Sequence, residues 1–340
     1  SQWTANGTVR VGSDGDHNEL IIANGGTMTV AGAGKNLWIG YSGSSGSNLV
    51  AVRGAGSLLD VSGVGSEVVI SGSTTGSGNF LELSTSGSAN VNSVQLGPGG
   101  ALVFGQTGSN PGAAGFIKSS ATINGNLGTD PNRGGGVVYV TSTTDVVLPN
   151  VLSGPLFVGV ATPAKTTLSG ANTYTGATVI YSGTLALGPA GSIASSSEIA
   201  LYTPTVSFDV SAVSGGYQLA SGQKLYGIGT VIGPATGAVG STVLPGAEAY
   251  VSTLTVTGGF TLLGDLIIDV DGATIDLLDG SSGGLTLGGN VTFNQISAPS
   301  GNLIFAKYAS LAGTFGSVTG LPSGYSIDYN YLGGNQIALV

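Results

Sequence analysis

The sequence predicts an all-β protein folded as a β-solenoid, in which short parallel strands stack one coil upon the next. Three observations predict this fold class. Similar units begin at Asn18, Asn48 and Asn79, and a recurrence every 30 residues or so is typical of repeat architectures. Apolar and polar residues alternate inside each unit, which is the pattern of strands. Glycine provides 62 of the 340 residues, and its backbone freedom suits tight turns between short strands.

Each repeat unit is expected to contribute three short strands. The second and fourth residues after each asparagine are apolar, and a glycine follows eight residues after it. The second strands read TMTV, LLDV and ANV, and the third strands read LWIG, VVIS and VQLG. Three strands in about 30 residues predict one coil of a three-sided solenoid, with adjacent coils about 4.8 Å apart. The middle unit has one extra residue, Leu59 or Asp60, which predicts a β-bulge.

The repeated asparagines are candidates for a ladder along one corner of the solenoid. Asn18, Asn48 and Asn79 occupy equivalent positions, so each side-chain amide can hydrogen-bond the next one. The alternative is that each is an ordinary turn residue, because asparagine tolerates left-handed backbone conformations. The sequence leaves both interpretations open.

We expect a single elongated β-solenoid domain over residues 1–340. Its three segments are regular 30-residue repeats over 1–104, a loop-rich irregular region over 105–150 and further strand repeats over 151–340. The middle region contains Pro111, Pro131 and Pro149, and proline interrupts strand pairing. The strand-like sequences VVYV and DVVL near its end predict that the solenoid resumes there.

Residues 168–188 carry the most specific pattern in the chain. They read LSGANTYTGATVIYSGTLALG, with turns expected at Gly170, Gly176 and Gly183 between strands of three to five residues. This segment resembles the autotransporter-associated β-strand repeat, a passenger-type repeat of bacterial surface proteins. The matching positions are Leu168, Gly170, Asn172, Thr173, Tyr174, Gly176, Thr178, Val179, Gly183, Thr184, Leu185, Leu187 and Gly188.

The resemblance has departures and extends to a second stretch. Ala177 stands where the repeat usually has glycine, and Ile180 and Tyr181 replace its usual small polar pair. Residues 262–293 are similar to such repeats in their aspartate-containing strand followed by LTLGGNVTF. The resemblance implies a right-handed parallel β-helix that is exported to the cell exterior. It implies no catalytic activity, because the repeat serves transport and folding.

The composition agrees with an extracellular location. The chain has no cysteine, which fits an exported bacterial protein that does not depend on disulfides. It begins Ser-Gln-Trp, so we expect a mature form whose signal peptide has been removed. Proteins with this repeat carry a C-terminal anchor and we find none before Val340, so we expect an anchor that was removed or a protein that is released. We predict a secreted or cell-surface protein.

The charge pattern argues against two classes of partner. The formal net charge is −9, and the eight lysines and arginines are spread along the chain with no two adjacent. A nucleic-acid partner needs a clustered cationic face, so we expect none. No apolar run approaches the roughly 18 residues of a membrane-spanning helix, and we expect no membrane span.

Residues suited to catalysis are sparse, and we expect no enzyme. His17 is the single histidine and cysteine is absent, which argues against the usual zinc sites and nucleophilic triads. A β-helix that degrades polysaccharides with paired acids is the least favoured alternative. Asp269 and Asp271 share one face of a strand, so their carboxylates would lie about 7 Å apart. They form a candidate Ca²⁺ site, with an exposed acidic turn as the competing interpretation.

The two ends of the chain are expected to form the functional surface. Neither end contains a capping helix, and the last residues, QIALV, read as an apolar strand. Two complementary open edges would add head to tail and give a filament. The candidate interface residues are Trp3, Val9, Tyr329, Tyr331, Ile337 and Leu339, and we expect Tyr325, Tyr329 and Tyr331 on one strand face.

We therefore predict an extracellular structural protein, the subunit of a cell-surface fibre whose partner is a second copy of itself. The alternative is a monomeric adhesin that binds host or matrix glycans, with an extracellular polysaccharide as partner. Aromatic side chains can supply the platforms on which sugars stack.

Overall fold

The computed structural model of the chain describes residues 1–41, 46–70, 78–107, 112–125 and 135–340. The chain divides into two compact units. Unit 1 comprises Ser1–Thr178 with Ala190–Ile193, and unit 2 comprises Val179–Pro189 with Ala194–Val340. The single domain and its three segments therefore stay a prediction. Pro111 and Pro131 of the loop-rich region lie outside the described residues.

Unit 1 consists of strands β1 to β19, most of them three to six residues long. They are β1 (Gln2–Ala5), β2 (Val9–Val11), β3 (Glu19–Ala23), β4 (Thr27–Val30), β5 (Leu37–Ile39), β6 (Leu49–Arg53), β7 (Leu58–Val61), β8 (Val68–Ile70), β9 (Asn79–Ser84), β10 (Ser88–Val91), β11 (Ser93–Leu96), β12 (Gly100–Phe104), β13 (Phe116–Ile117), β14 (Thr122–Asn124), β15 (Val137–Val140), β16 (Val146–Leu148), β17 (Leu152–Gly154), β18 (Phe157–Leu168) and β19 (Thr173–Tyr174).

These strands form three stacked parallel ladders, to which every third strand contributes as far as β15; β17 then pairs with β19. The ladders are β1-β4-β7-β10-β13, β2-β5-β8-β11-β14-β17-β19 and β3-β6-β9-β12-β15-β18, and β16 pairs with the second half of β18. Glu19 pairs with Leu49, and Leu49 pairs with Phe80. The predicted all-β, parallel, stacked-strand fold is confirmed, as are the three strands predicted for each of the first repeat units.

Apolar side chains at equivalent positions of successive strands form the core of unit 1. One column runs through Leu20, Val50, Leu81, Leu102, Val138 and Val158. All members except Leu20 are fully buried. Burial of such a side chain contributes about 1.5–3 kcal/mol, so the repeated columns explain why strands this short are stable when stacked.

The asparagine ladder, one of the two interpretations that the sequence leaves open, is present. Asn18 Nδ2 donates to Asn48 Oδ1 at 2.9 Å, and Asn48 Nδ2 donates to Asn79 Oδ1 at 2.8 Å. The backbone N–H groups of Asn18 and Asn48 donate to the same two oxygens. Gly12 and Gly40 lie against the ladder with positive φ, and a Cβ at Gly40 would clash with the side-chain amide of Asn79. The repeated asparagine and the glycine beside it are therefore one structural device.

Two local predictions are wrong. No bulge occurs at Leu59 or Asp60, because LLDV pairs without a register shift with both TMTV and SANV; the third copy of the strand begins one residue earlier than its apolar pattern indicates. Gly183 does not end a strand either. It bends β20 with a φ of 74°, but strand pairing continues after it.

Unit 2 consists of the strands from β20 onward and one short 3₁₀ helix. They are β20 (Thr178–Leu187, beginning at the last residue of Ser1–Thr178), β21 (Glu198–Leu201), β22 (Ser207–Asp209), β23 (Tyr217–Leu219), β24 (Lys224–Gly227), β25 (Thr230–Ile232), β26 (Ala235–Gly237), β27 (Thr242–Pro245), β28 (Thr253–Val256), β29 (Phe260–Leu262), β30 (Asp265–Asp271), β31 (Thr274–Ile275), β32 (Leu277–Leu287), β33 (Asn290–Gln295), β34 (Leu303–Gly313), β35 (Ser317–Thr319), β36 (Ile327–Asp328), the 3₁₀ helix Tyr331–Gly333 and β37 (Gln336–Leu339).

Unit 2 also contains three parallel ladders, and its spacing varies, as it does in unit 1 after Asn79. The ladders are β20-β22-β25-β28-β32-β34, β21-β24-β27-β30-β33-β35 and β23-β26-β29-β32-β34. Lys224 pairs with Thr242, whereas Leu278 pairs with the more distant Ala306, so successive coils contain unequal lengths of chain. No helix among the described residues is long and apolar enough to cross a membrane.

Candidate functional site

The structure places Trp3 and Val9 on strands that have a described partner on one side. Trp3 lies on β1, pairs with Met28 and is 49% exposed. Val9 lies on β2, pairs with Leu37 and is half-buried. The two candidate interface residues therefore belong to different ladders of unit 1.

The C-terminal candidates are not displayed on an open strand. Strand β37 runs antiparallel between β34 and β36, so both of its edges are paired. Ile337 and Leu339 are fully buried, because β37 turns its apolar side chains into the core of unit 2. The expectation of an open strand edge at the C-terminal end is wrong, and the chain reversal before β37 is the physical reason. That Ile337 and Leu339 belong to an interface stays a prediction.

The expected stripe of C-terminal tyrosines is also wrong. Tyr331 lies in the 3₁₀ helix and its hydroxyl accepts a hydrogen bond from Asn302. Tyr329 packs against Phe315, with ring centroids 6.0 Å apart, and Tyr325 lies outside any strand. Tyr329 and Tyr331 thus contribute to the packing at the end of unit 2, and the three rings do not share one strand face.

The candidate Ca²⁺ residues have different surroundings. Asp269 is buried; its Oδ2 accepts from Ala249 N–H at 2.7 Å and its Oδ1 from Asn294 Nδ2 at 2.8 Å. Asp271 is exposed on the same strand. Within the part of the chain that the structure describes, no three His, Cys, Asp or Glu side chains are grouped to hold a metal ion. The Ca²⁺ site stays a prediction.

A groove of about 600 Å³ on the outer surface of unit 2 is the candidate functional site. It crosses the outward faces of β21 and β24. Four aromatic rings line it, and we call it the tyrosine groove after Tyr181, Tyr202, Tyr226 and Tyr250. Tyr202 and Tyr250 are 66% and 74% exposed, so their rings are open to a ligand.

Strand register brings these tyrosines together. Ala200 pairs with Tyr226, so a small side chain lies beside the ring and keeps the groove open. Tyr202 follows β21, and its N–H donates to the carbonyl of Ile180, which sets Tyr202 beside Tyr181. The rings of Tyr181 and Tyr202 are 5.4 Å apart and inclined at 56°, an arrangement that aromatic pairs favour.

Charged groups hold Tyr226 in place at the floor of the tyrosine groove. Its hydroxyl donates to Glu198 at 3.4 Å, and Lys224 Nζ lies 4.9 Å from its ring centroid. Lys224 also pairs with Glu248 at 3.4 Å. Burial raises the pKa of Tyr226, and the Glu198 carboxylate raises that pKa further, so its hydroxyl keeps its proton at neutral pH.

One wall of the groove is a turn that we call the rim loop, residues 246–252. A second buried carboxylate lies beneath it. Asp276 Oδ1 accepts from Ser252 N–H at 2.7 Å, and Asp276 Oδ2 accepts from Asp269 N–H at 2.9 Å. A Cβ at Gly246 would lie 3.3 Å from Asp276 Oδ1 and would clash with the Tyr250 carbonyl oxygen. Only glycine therefore fits between the groove and this carboxylate.

The two buried carboxylates are not placed for acid–base chemistry. Asp269 and Asp276 have at most 1% of their surface exposed, and their oxygens already accept backbone or side-chain N–H groups. A catalytic acid must reach the proton that it transfers. The exposed tyrosine rings, by contrast, offer apolar faces and hydroxyl groups on one surface.

Sequence reasoning missed the tyrosine groove, although a signal for it exists. Tyr181, Tyr202, Tyr226 and Tyr250 follow one another at nearly equal intervals along the chain. These intervals fall within the range of strand spacings in unit 2. A search for one residue type recurring about once per coil would have found the set.

Comparison with known proteins adds no assignment. No protein-family model matches the chain, and no curated protein matches it. The similarity of residues 168–188 to an autotransporter-associated repeat thus rests on the sequence pattern alone and stays a prediction.

Proposed function

We propose that this chain is an extracellular surface protein that binds a neutral polysaccharide in the tyrosine groove. In this proposal the fold is a right-handed parallel β-helix, with about 30 residues per coil in its N-terminal part. The protein acts as a binding protein without enzymatic activity. The observation that carries the proposal is the cluster of four tyrosines around one open groove of unit 2.

The chemistry of the groove favours a sugar chain. Sugar rings have apolar C–H faces and hydroxyl edges, and tyrosine offers an apolar ring and a polar tip that complement both. The exposed rings of Tyr202 and Tyr250 supply the faces, and the Ser252 hydroxyl lies on the lining. A groove of this volume is within the range of small-molecule and oligomer sites.

The charges around the groove favour a neutral ligand. Glu198 and Glu248 lie at its edge, and Lys224 is engaged by Glu248 and by the ring of Tyr226. The chain has a net charge of −9, which repels polyanions at low salt. An acidic polysaccharide would therefore bind more weakly than a neutral one of similar linkage.

Affinity electrophoresis and calorimetry test this proposal. The probes are a β-glucan, a xylan, a galactomannan, dextran and, as the acidic comparator, polygalacturonate. We expect binding of at least one neutral probe, and about tenfold weaker binding in Tyr202→Ala and Tyr250→Ala, which is about 1.4 kcal/mol. Tyr325→Ala is the matched control outside the groove. The proposal is wrong when no neutral probe binds, when polygalacturonate binds best, or when both groove variants bind like the wild type and the Tyr325→Ala control.

The head-to-tail fibre predicted from the sequence is our second proposal. It requires an open strand edge at both ends, and pairing of β37 with β34 and β36 closes the C-terminal one. Electron microscopy of the purified protein at high concentration tests this second proposal. Filaments would favour it over polysaccharide binding, and their absence would count against it.

A further inference from the structure

The tyrosine groove crosses three strands of one parallel ladder. Ala200 of β21 pairs with Tyr226 of β24, and Tyr226 pairs with Leu244 of β27. Adjacent strands of a ladder lie about 4.8 Å apart. Residues within or just after each of these three strands line the groove. The groove therefore extends over three levels of the ladder in the direction in which the strands stack.

Each of the three levels contributes one tyrosine to the groove. Tyr202 follows β21, Tyr226 lies within β24, and Tyr250 lies in the rim loop after β27. Strands β21 and β27 are two spacings apart, about 10 Å. Tyr202 and Tyr250 are exposed and Tyr226 is half-buried. The tyrosines thus follow one another along the stacking direction, and Tyr181 lies beside Tyr202 at the first level.

Glycine leaves the groove open between these levels. Leu201 pairs with Gly227, and the Gly246 N–H donates to the Gly227 carbonyl at 2.8 Å. Gly227 has a φ of 118°, and a Cβ there would clash with the Leu201 carbonyl oxygen, so only glycine fits at this position. Both glycines line the groove. At these two positions no side chain divides the level of β24 from the level of β27.

We propose that the tyrosine groove binds three or more consecutive sugars of an extended, linear neutral glycan whose chain follows the stacking direction of the strands. One sugar lies beside each of Tyr202, Tyr226 and Tyr250. The ligand class is that of β-1,4-linked chains such as xylan and mannan, and not the coiled α-linked glucans. The inference rests on the proposed function of the groove.

The spacing of the ladder carries this inference. Each sugar of an extended β-1,4-linked chain advances that chain by about one strand spacing, so successive sugars meet successive levels without bending of either partner. A tyrosine ring packs against the apolar face of a sugar, and its hydroxyl meets the polar edge. Chains of α-1,4- or α-1,6-linked glucose coil or fold at their linkages and do not keep this repeat.

A glycan that lay along one strand would have a different reach. It would contact a single level of the ladder, and therefore one of the three stacked tyrosines. Sugars added beyond that contact would gain no further ring. The dependence of affinity on the length of the glycan consequently distinguishes the two directions.

Calorimetry with oligosaccharides of increasing length tests the inference. The probes are β-1,4-linked xylose and mannose oligomers of one to about six sugars, with α-1,4-linked glucose oligomers of the same lengths as comparators. For at least one β-1,4-linked series we expect affinity to rise about threefold to tenfold with each sugar up to the third, and to change little afterwards. The α-1,4-linked series should bind more weakly at every length above one sugar.

Loss of a tyrosine at either end of the groove should shorten this profile. Tyr250→Ala and Tyr202→Ala should each lose the gain from the third sugar, whereas a disaccharide, which the remaining tyrosines still contact, should bind nearly as tightly as to wild type. Both side chains are exposed, so their removal leaves the core intact. Tyr325→Ala, outside the groove, is the matched control and should keep the wild-type profile.

The outcomes separate this inference from the proposed function. The inference alone is overturned when a neutral polysaccharide binds but affinity levels off at one or two sugars, when both end variants keep the wild-type length profile, or when no oligosaccharide binds. Tighter binding of dextran or of the α-1,4-linked series than of the β-1,4-linked series also overturns it and leaves polysaccharide binding in place. Absence of binding to every neutral polysaccharide overturns both.

Discussion

The two units bury carboxylates in opposite surroundings. In unit 1, Glu82 is fully buried and accepts from Arg53 Nε at 2.6 Å. In unit 2, Asp276 is fully buried beside a second acid, Asp269. Burial raises the pKa of Glu82, but the bonds from Arg53, Thr107 and Ser84 outweigh burial and hold that pKa below its usual value. Two equally buried carboxylates therefore have pKa shifts of opposite sign, and the neighbouring group determines the sign.

The first repeats of unit 1 differ from the coils of unit 2 in how their strands keep register. In those repeats the same side chain returns at the same corner, and the asparagine ladder joins Asn18, Asn48 and Asn79. Unequal lengths of chain separate the paired strands of unit 2 and also those that follow Asn79 in unit 1. In unit 2 the residues between β27 and β28 form the rim loop, so the tyrosine groove lies among coils of varying length.

Removal of the cation beside Glu82 should have the largest effect. In Arg53→Met, Glu82 keeps its buried position but loses its two bonds to the guanidinium group. An uncompensated buried charge of this kind typically costs about 3–5 kcal/mol. Urea unfolding, followed by circular dichroism, should show this loss as a lower midpoint. Adding Glu82→Gln should recover most of it, and a double variant as unstable as Arg53→Met would contradict the charge explanation.

Interruption of the asparagine ladder should have the next largest effect. Asn48→Ala removes the central side chain of the ladder, so Asn18 loses the acceptor for two N–H groups and Asn79 Oδ1 loses one of its two donors. We expect a loss of about 2–4 kcal/mol in the free energy of unfolding, since these groups are buried or partly buried. Urea unfolding monitored by tryptophan fluorescence measures it in unit 1, where both tryptophans of the chain lie.

Asn18→Ala is the matched comparison, because this end of the ladder is exposed. Water can replace its lost partners, and we expect about 0.5–1 kcal/mol. Equal effects at Asn18 and Asn48 would show that the ladder does not stabilise the stacked strands beyond an ordinary turn.

The repeats of unit 1 could be predicted because their causes are local. The position of each asparagine, the apolar alternation after it and the following glycine all lie within one coil, and they identified strands β3 to β11. Sequence also suggested the ladder as one of two interpretations, since a shared period places equivalent side chains next to one another. The error at Leu59 and Asp60 came from the strand boundary, which hydrogen bonding with neighbouring strands sets.

The tyrosine groove and the closed C-terminal edge depend on distant parts of the chain. Tyr202 and Tyr250 lie on one surface because β21, β24 and β27 stack, so the residues after β21 and the rim loop after β27 line the same groove. The final strand lies antiparallel because the chain reverses after Ile327–Asp328. Such a reversal produces no repeat in the sequence from which it could be predicted. Burial of Asp269 likewise depends on Ala249, twenty residues earlier. Sequence patterns indicated the fold class but not these contacts.

A change of pH should alter the stability of the two units in opposite directions. We expect this effect to be the smallest of those predicted here. Between pH 7 and pH 4 unit 2 should gain stability, by at most about 1.4 kcal/mol per pH unit, because the pKa of folded Asp276, about 7, lies above its unfolded value. The contribution of Glu82 to the stability of unit 1 is present above its ordinary pKa of 4.5 and is lost as the pH falls through its lower folded pKa.

Hydrogen exchange of peptides from each unit at several pH values measures both trends in one sample. Asp276→Asn should flatten the profile of unit 2 and leave that of unit 1 unchanged. A gain in the stability of unit 2 as the pH rises from 5 to 7 would contradict the assignment, because it would require Asp276 to titrate like Glu82 without a cation beside it.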